Sequence, residues 1–192
     1  MNQKTAMKLF GLLGLLMLLS CGYADRHRNS SSCEQALVDS LEVRVQDSLF
    51  SNVHYSRSQL LEALTQTQDS LVYYRLLALY GKTFFVSSDF DSILYYNRRV
   101  KEFSRNASQS SESLQSPRWN DVLSDVYNIE GNVWMQLNRP DSAIIDYKKA
   151  YGYRLEGKKL HLLPDICINI ADAYLHRSDL AHTALYYRRA LF

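Results

Sequence analysis

Residues 131–150 read GNVWMQLNRPDSAIIDYKKA, and this stretch decides the fold. Residues 81–100 and 171–190 follow the same layout. Each stretch opens on a small residue, has an aromatic residue three positions later, and then carries a short polar interruption. Ile, Ala or Thr stands twelve positions after the small residue, and Val or Ala stands nineteen positions after it. Agreement at so many positions indicates an internal repeat.

Each stretch has the pattern of two helices joined by a turn. In the last one, Ile170, Ala171 and Tyr174 are spaced as neighbours on one helix face. The polar residues 178–179 interrupt this pattern, and a second apolar face follows over 184–190. Small residues are needed where two helices cross closely, and aromatic residues fill the space between successive pairs. The pattern therefore predicts a series of helical hairpins.

This layout resembles the tetratricopeptide repeat, whose signature is small–xx–aromatic on the first helix and small–xxx–aromatic–xx–small on the second. The resemblance covers roughly residues 70–192. It implies an all-α fold, namely a right-handed α-solenoid of antiparallel helical hairpins. We expect three recognisable repeats at about 70–104, 119–154 and 164–192, preceded by a degenerate helical hairpin at 35–68.

The chain departs from the family pattern in spacing and at two positions. The small residues are 50 and 40 positions apart, against about 34 in the family. We assign the excess to linkers at 105–118, which is rich in serine, and at 155–163. Glu130 stands where the family has an apolar residue, and Asn97 replaces the aromatic residue of a second helix.

Residues 1–20 have the features of a bacterial signal peptide. A short basic start precedes the uncharged run 9–19, which is shorter than the roughly 20 residues of a membrane-spanning helix. The run leads into Leu-Leu-Ser-Cys, which resembles a lipobox and implies that Cys21 is lipidated and the chain is cut before it. Residues 21–34 would then be a polar tether from the membrane. An ordinary secretory signal that ends near a cysteine is the alternative.

Composition and motifs argue against several classes of function. The chain has 22 Lys plus Arg and 20 Asp plus Glu, so it offers no basic field for nucleic acid. Its five histidines are scattered, without a metal-binding motif, nucleophile elbow or glycine-rich phosphate loop. We therefore expect no enzyme activity, no metal and no cofactor. Beyond Cys21, we expect Cys33 and Cys167 to be isolated thiols, with a disulfide between them as the alternative.

The expected function is that of a protein–protein interaction scaffold, anchored through lipidated Cys21 on the extracytoplasmic side of the cell membrane or outer membrane. In helical solenoids the first helices line a concave surface on which a peptide lies. We expect a partner to contact Lys82, Phe85, Asn128, Asn132, Met135, Gln136, Asp172, Leu175 and His176. Solvation of these residues, or packing of the apolar ones on neighbouring repeats, is the alternative.

The C-terminal residues 189–192 leave a second function open. They continue an apolar helix without the polar cap that repeat arrays need. This end would pack on a partner or on another copy of the chain, or the sequence is part of a longer protein. The alternative function is therefore an extracytoplasmic sensor segment of a larger bacterial signalling protein, such as a histidine kinase or a transcriptional regulator.

Two recurring dipeptides each have two interpretations. Basic pairs at 98–99, 148–149 and 188–189 precede the small residue of each second helix. They provide solubility and favourable charge near helix C-termini, or a stripe for an acidic partner or a phospholipid surface. Asp-Ser pairs, among them those at Asp91 and Asp141, cap helices or resemble acceptors of bacterial O-glycosylation.

Overall fold

The part of the chain that the structure describes is helical and contains no strand, so the predicted all-α class is confirmed. The structure is a computed structural model. Predictions for the signal peptide, the tether, Cys21 and Cys33 fall outside the described residues. The residues described are 36, 38–45, 47, 51–107 and 116–191.

Helices follow one another along the chain with short connections. Within each successive pair, α3 packs on α4, α5 on α6 and α7 on α8, and α6 also packs on α7. Short 3-10 turns follow α3 at Thr83–Phe85 and precede α7 at Leu160–Leu162. The helices are α1 over 38–45, α2 Val53–Gln66, α3 Ser70–Lys82, α4 Phe90–Ala107, α5 Pro117–Gln136, α6 Pro140–Leu155, α7 Leu163–His176 and α8 Leu180–Ala190.

The three turns that join α3 to α4, α5 to α6 and α7 to α8 have the same backbone geometry. One residue in each lies in the left-handed region: Ser88, Asn138 and Ser178 have φ of 54°, 55° and 60°. The N–H of the next residue donates to the carbonyl of the repeat's aromatic residue, at 3.1, 2.8 and 3.0 Å. This is the Schellman arrangement, which satisfies carbonyls at a helix end and reverses the chain.

The small residues of the pattern lie where paired helices cross. Gly131 is buried, and a Cβ there would stand 2.3 Å from Cε1 of Tyr147. A Cβ on Gly81 would stand 2.9 Å from Cβ of Tyr96, and Ala171 is fully buried. Residues 81–90 and 131–140 also share the same order of buried, half-buried and exposed positions. The register read from the sequence therefore corresponds to equivalent places in the packing.

The N-terminal helices share a core with α3. Val38, Leu41 and Val45 of α1 lie on one face and are buried with Leu60 of α2 and Leu76 of α3. The opposite face of α1 is polar, and it faces the cleft described below.

Glu130, which departs from the apolar pattern, is buried but ion-paired. Its carboxylate accepts two hydrogen bonds from Lys101 Nζ, both at 2.7 Å. Burial raises the pKa of Glu130, and the contact with Lys101 opposes that shift. A charged residue is tolerated here because its partner arrives from α4.

Candidate binding clefts

The first cleft lies between α1, α3, α5 and the segment just before α7, and has a volume of about 430 Å³. Its apolar floor includes Ala78, Leu79, Val122, Val126 and Ile129, and Asn97 reaches it from α4. Charged residues form the rim: Asp39, Glu42, Arg75, Lys82, Arg118, Asp121, Asp125, Lys158 and Lys159.

The polar face of α1 closes one side of the first cleft through ion pairs. Asp39 binds Arg75 of α3 at 2.7 Å and Arg118 of α5 at 3.5 Å. Glu42 binds Lys159, which precedes α7. Parts of the chain far apart in sequence therefore meet around this cleft.

Asp121 holds the segment between α6 and α7 in place. Its carboxylate accepts hydrogen bonds from Arg154 Nη1 at 2.8 Å and from the backbone N–H groups of Lys158 and Lys159 at 3.0 and 3.1 Å. A Cβ on Gly157 would stand 2.2 Å from Oδ1 of Asp121, so only glycine fits this approach. The sequence analysis assigned 155–163 to a linker. The signal available in the sequence was Gly157, three residues after Arg154.

Tyrosine hydroxyls close the equivalent position in the two later hairpins. Tyr147 donates to Asn132 Oδ1 at 2.7 Å, and Tyr187 donates to Asp172. Burial raises the pKa of Tyr147 well above its ordinary value, so this hydroxyl keeps its proton and remains a donor.

The first hairpin has Asn97 and Lys82 at these register positions, and the two do not pair. Asn97 is fully buried, and its Nδ2 donates to the carbonyl of Val126 at 3.2 Å. Its Oδ1 has no hydrogen-bond partner, and neither has the buried Nη1 of Arg75. Two buried polar atoms at one cleft therefore lack partners, which is uncommon in a folded protein.

The second cleft, also about 430 Å³, lies between the C-terminal turns of α5 and α7. It brings together five of the nine residues expected to contact a partner: Met135, Gln136, Asp172, Leu175 and His176. Asn169 and Tyr147 complete its lining.

The other four expected contact residues are dispersed. Lys82 lines the first cleft. Phe85 is half-buried and packs near Phe90, against the core beneath α5. The side-chain oxygen of Asn132 accepts from Tyr147, as described above, and that of Asn128 accepts from Asn169 Nδ2 at 3.0 Å. Each of these asparagines keeps its amide N–H groups for another partner.

At least one residue of each basic pair in the second helices contacts another side chain of the protein. Lys148 donates to the hydroxyl of Tyr174 at 2.8 Å. Lys149 binds Asp146 at 2.9 Å and lies 4.9 Å from the ring centre of Tyr127. The guanidinium groups of Arg99 and Arg189 lie over Tyr95 and Tyr186.

Helix caps come from aspartates near the Asp-Ser pairs. Asp69 caps α3 at 2.8 Å, but Asp89 rather than Asp91 caps α4, accepting from the N–H of Ser92 at 3.1 Å. Asp91 and Asp141 lie in first turns, where they complement the helix dipole.

The described residues form neither a metal site nor a membrane-spanning helix. No group of three or more His, Cys, Asp or Glu residues there is arranged to hold a metal ion. None of the helices in that part of the chain is long and apolar enough to cross a membrane. Cys167 is buried, and burial raises its pKa, which disfavours the reactive thiolate.

Comparison with protein families and with curated proteins assigns no family to this chain. No protein-family model matches the sequence, and no curated protein is significantly similar to it.

Proposed function

We propose that this chain is a lipid-anchored, tetratricopeptide-like scaffold that binds a protein partner on the extracytoplasmic side of a bacterial membrane. The observation that carries the proposal is the common register of three helical hairpins, with the same turn geometry and two clefts along the first helices. In this proposal the hairpins stack as a right-handed solenoid, and α3, α5 and α7 line its binding surface.

The second cleft supports partner binding through its mixture of groups. Leu175 is 47% exposed in a rim that also carries Met135 and Gln136. Exposed apolar surface beside amide donors and acceptors suits a peptide, which offers side chains and backbone together.

Site-specific photocrosslinking in membranes tests the partner site. A photoreactive amino acid at Leu175 should give one predominant adduct of defined mass. The matched control is Leu155, which is 52% exposed and lines neither cleft. An identical adduct pattern from both positions would show contact without a defined site.

The anchor is tested by replacing Cys21 with serine. Wild-type protein should incorporate labelled palmitate and sediment with membranes, whereas Cys21→Ser should do neither. Cys33→Ser is the control, since Cys33 lies outside the lipobox-like sequence and should leave both properties unchanged. Unlabelled wild-type protein that does not sediment with membranes would contradict anchoring.

A second candidate function, a sensor segment of a larger protein, is favoured by the exposed apolar face of α7 and α8. Leu180 is 68% and Leu191 80% exposed. Leu191 is equivalent in the repeat register to Tyr151, 40 positions earlier. Tyr151 packs against the core that α6 shares with α7. The same face would stack on a further hairpin or on another copy. If Leu180→Glu leaves the sedimentation velocity of the chain unchanged, self-association through this face is excluded.

A further inference from the structure

We propose that the first cleft binds an acidic segment of the partner, with a carboxylate at Lys82 and Lys158 and a backbone N–H at Asn97. This proposal rests on the proposed function, because it names the chemistry of the partner that the scaffold holds. It uses a cleft of which sequence reasoning identified only Lys82.

The first cleft lies beside a departure from the repeat pattern, Asn97. The Tyr147 ring lies against Gly131 and fills the crossing of α5 and α6. At the equivalent place Asn97 lies beside Gly81, with Oδ1 3.7 Å from the position of an added Cβ. Asparagine lacks the phenol ring, and Tyr96 rather than residue 97 lies closest to Gly81, with its Cβ 2.9 Å from the position of an added Cβ. Asn97 lines the first cleft from α4.

The charges of the cleft favour an anion. Each of its four carboxylates, Asp39, Glu42, Asp121 and Asp125, is already in an ion pair with an arginine or lysine. By contrast, no ion pair within 4 Å joins Lys82 or Lys158 to these carboxylates, although Lys82 acts on the Asp125 carboxylate at longer range. A carboxylate entering the cleft would satisfy these cations, whereas a basic segment would be repelled by them.

The unpaired buried atoms point to a peptide rather than a simple anion. Asn97 Oδ1 needs a donor, and Nη1 of Arg75 needs an acceptor. A peptide with an acidic side chain carries both, since its backbone alternates N–H and C=O groups. The volume of about 430 Å³ falls in the range of ligand sites and admits a few residues of an extended chain. Val126 and Ile129 offer apolar contact for the aliphatic part.

Fluorescence anisotropy with the full-length chain in detergent tests this proposal. The probes are three fluorescein-labelled dodecapeptides in which alanine alternates with glutamate, glutamine or lysine. We expect the glutamate peptide to bind about tenfold more tightly than either of the others, with an affinity that falls as salt is added.

Two variants localise binding to the cleft. Lys82→Glu reverses the charge of a half-buried side chain, and should weaken the glutamate peptide about tenfold or more. Asn97→Tyr restores the repeat's aromatic residue and should block the cleft. The charge-matched control is Arg188→Glu, at an exposed residue of α8 that lines neither cleft, and it should bind within about twofold of wild type. Circular dichroism checks folding, and if Asn97→Tyr does not fold, Lys82→Glu alone decides.

Equal binding of the three peptides, or undiminished binding by Lys82→Glu, would overturn the proposal. That failure would leave the Cys21 anchor and the Leu175 adduct untouched. Conversely, loss of the anchor or of the adduct would remove the proposed function while the peptide result stood.

Discussion

The hairpins α3–α4 and α5–α6 are built on one register, yet their second helices carry different residues at one helix-crossing position. Their turns match in backbone conformation, and residues 81–90 and 131–140 match in burial. They differ sixteen positions after the glycine, where α6 has Tyr147 and α4 has Asn97. The Tyr147 ring lies against Gly131 and its hydroxyl makes a hydrogen bond, whereas Asn97 lines the first cleft and has an unpaired side-chain oxygen.

This difference indicates that a repeat can keep its fold while a substitution at one position alters its surface. Three features maintain the hairpin: the glycine of the first helix, the turn, and the residue twelve positions after the glycine, which is Ile93 or Ala143. The residue at the position of Tyr147 or Asn97 changes the side chain that lines the neighbouring cleft. The following predictions test this contrast.

Arg154 should give the largest effect on stability. It is 1% exposed and binds both Asp121 and Asp125, so Arg154→Met leaves two carboxylates without their cation. We expect a loss of about 3–5 kcal/mol in the free energy of unfolding, measured by urea denaturation. The register-equivalent residue in α4 is Ser104, which accepts from Trp119 Nε1 at 3.0 Å. Ser104→Ala should cost only about 1–2 kcal/mol, and equal losses would contradict the difference between the hairpins.

Exchanging the residues at the contrasting position should change stability by unequal amounts in the two hairpins. Tyr147→Asn removes a ring that is 2% exposed and leaves a cavity over Gly131, at a cost of about 3 kcal/mol. Asn97 is buried but lines the first cleft, so the ring of Asn97→Tyr can extend toward that cleft, and we expect a change within about 1 kcal/mol. Thermal and urea unfolding of both variants measure this. A large loss from Asn97→Tyr would mean that the two crossings are not equivalent.

Replacing a turn residue of positive φ with glycine should change the stability by an amount that depends on the residue replaced. Ser178 adopts φ of 60°, a conformation that glycine adopts without strain, so Ser178→Gly should stabilise by about 0.5–1 kcal/mol. Asn138→Gly should give less, since asparagine tolerates this region better than serine. The melting temperatures rank the two, and a decrease for Ser178→Gly would contradict the turn geometry.

The smallest effect concerns the cap of α8. The N–H of His182 donates to Asp179 at 3.1 Å, and this bond, followed by the contact with the His182 ring, lowers the pKa of Asp179. A lowered folded-state pKa stabilises the protein above the unfolded value of about 3.9, and this contribution is lost as pH falls through the folded value. Wild type should therefore exceed Asp179→Asn in stability at pH 6. The two should converge as the pH falls through the lowered folded-state pKa of Asp179, and a gap that stays constant from pH 6 down through that range would exclude the linkage.

The local pattern was sufficient to predict the helical class and the places of the hairpin turns. Small residues, aromatic residues and polar interruptions act within one hairpin, so their spacing along the chain reports their packing. Asn97 was visible as a departure, but its consequence was not, because the cleft also needs α1, α5 and the segment before α7.

Long-range contacts account for what the sequence did not predict. Asp121 lies 33 positions before Arg154 and 37 before Lys158, and no local spacing connects these residues. The segment 155–163 therefore read as a linker. Five of the nine expected contact residues share the second cleft because equivalent positions of α5 and α7 meet there. Phe85, by contrast, packs against a core that its local sequence pattern did not predict.

The register itself is tested most directly by two glycines of the α5–α6 hairpin. A Cβ on Gly131 would meet the Tyr147 ring at 2.3 Å, whereas a Cβ on Gly152 would have no atom within 4 Å. The measurement is the free energy of unfolding of Gly131→Ala and Gly152→Ala in urea. We predict a loss of about 1–3 kcal/mol for Gly131→Ala and a gain of up to about 1 kcal/mol for Gly152→Ala, because alanine favours a helix interior. Changes of the same sign and size in both variants would contradict the crossing at Gly131 and the repeat register built on it.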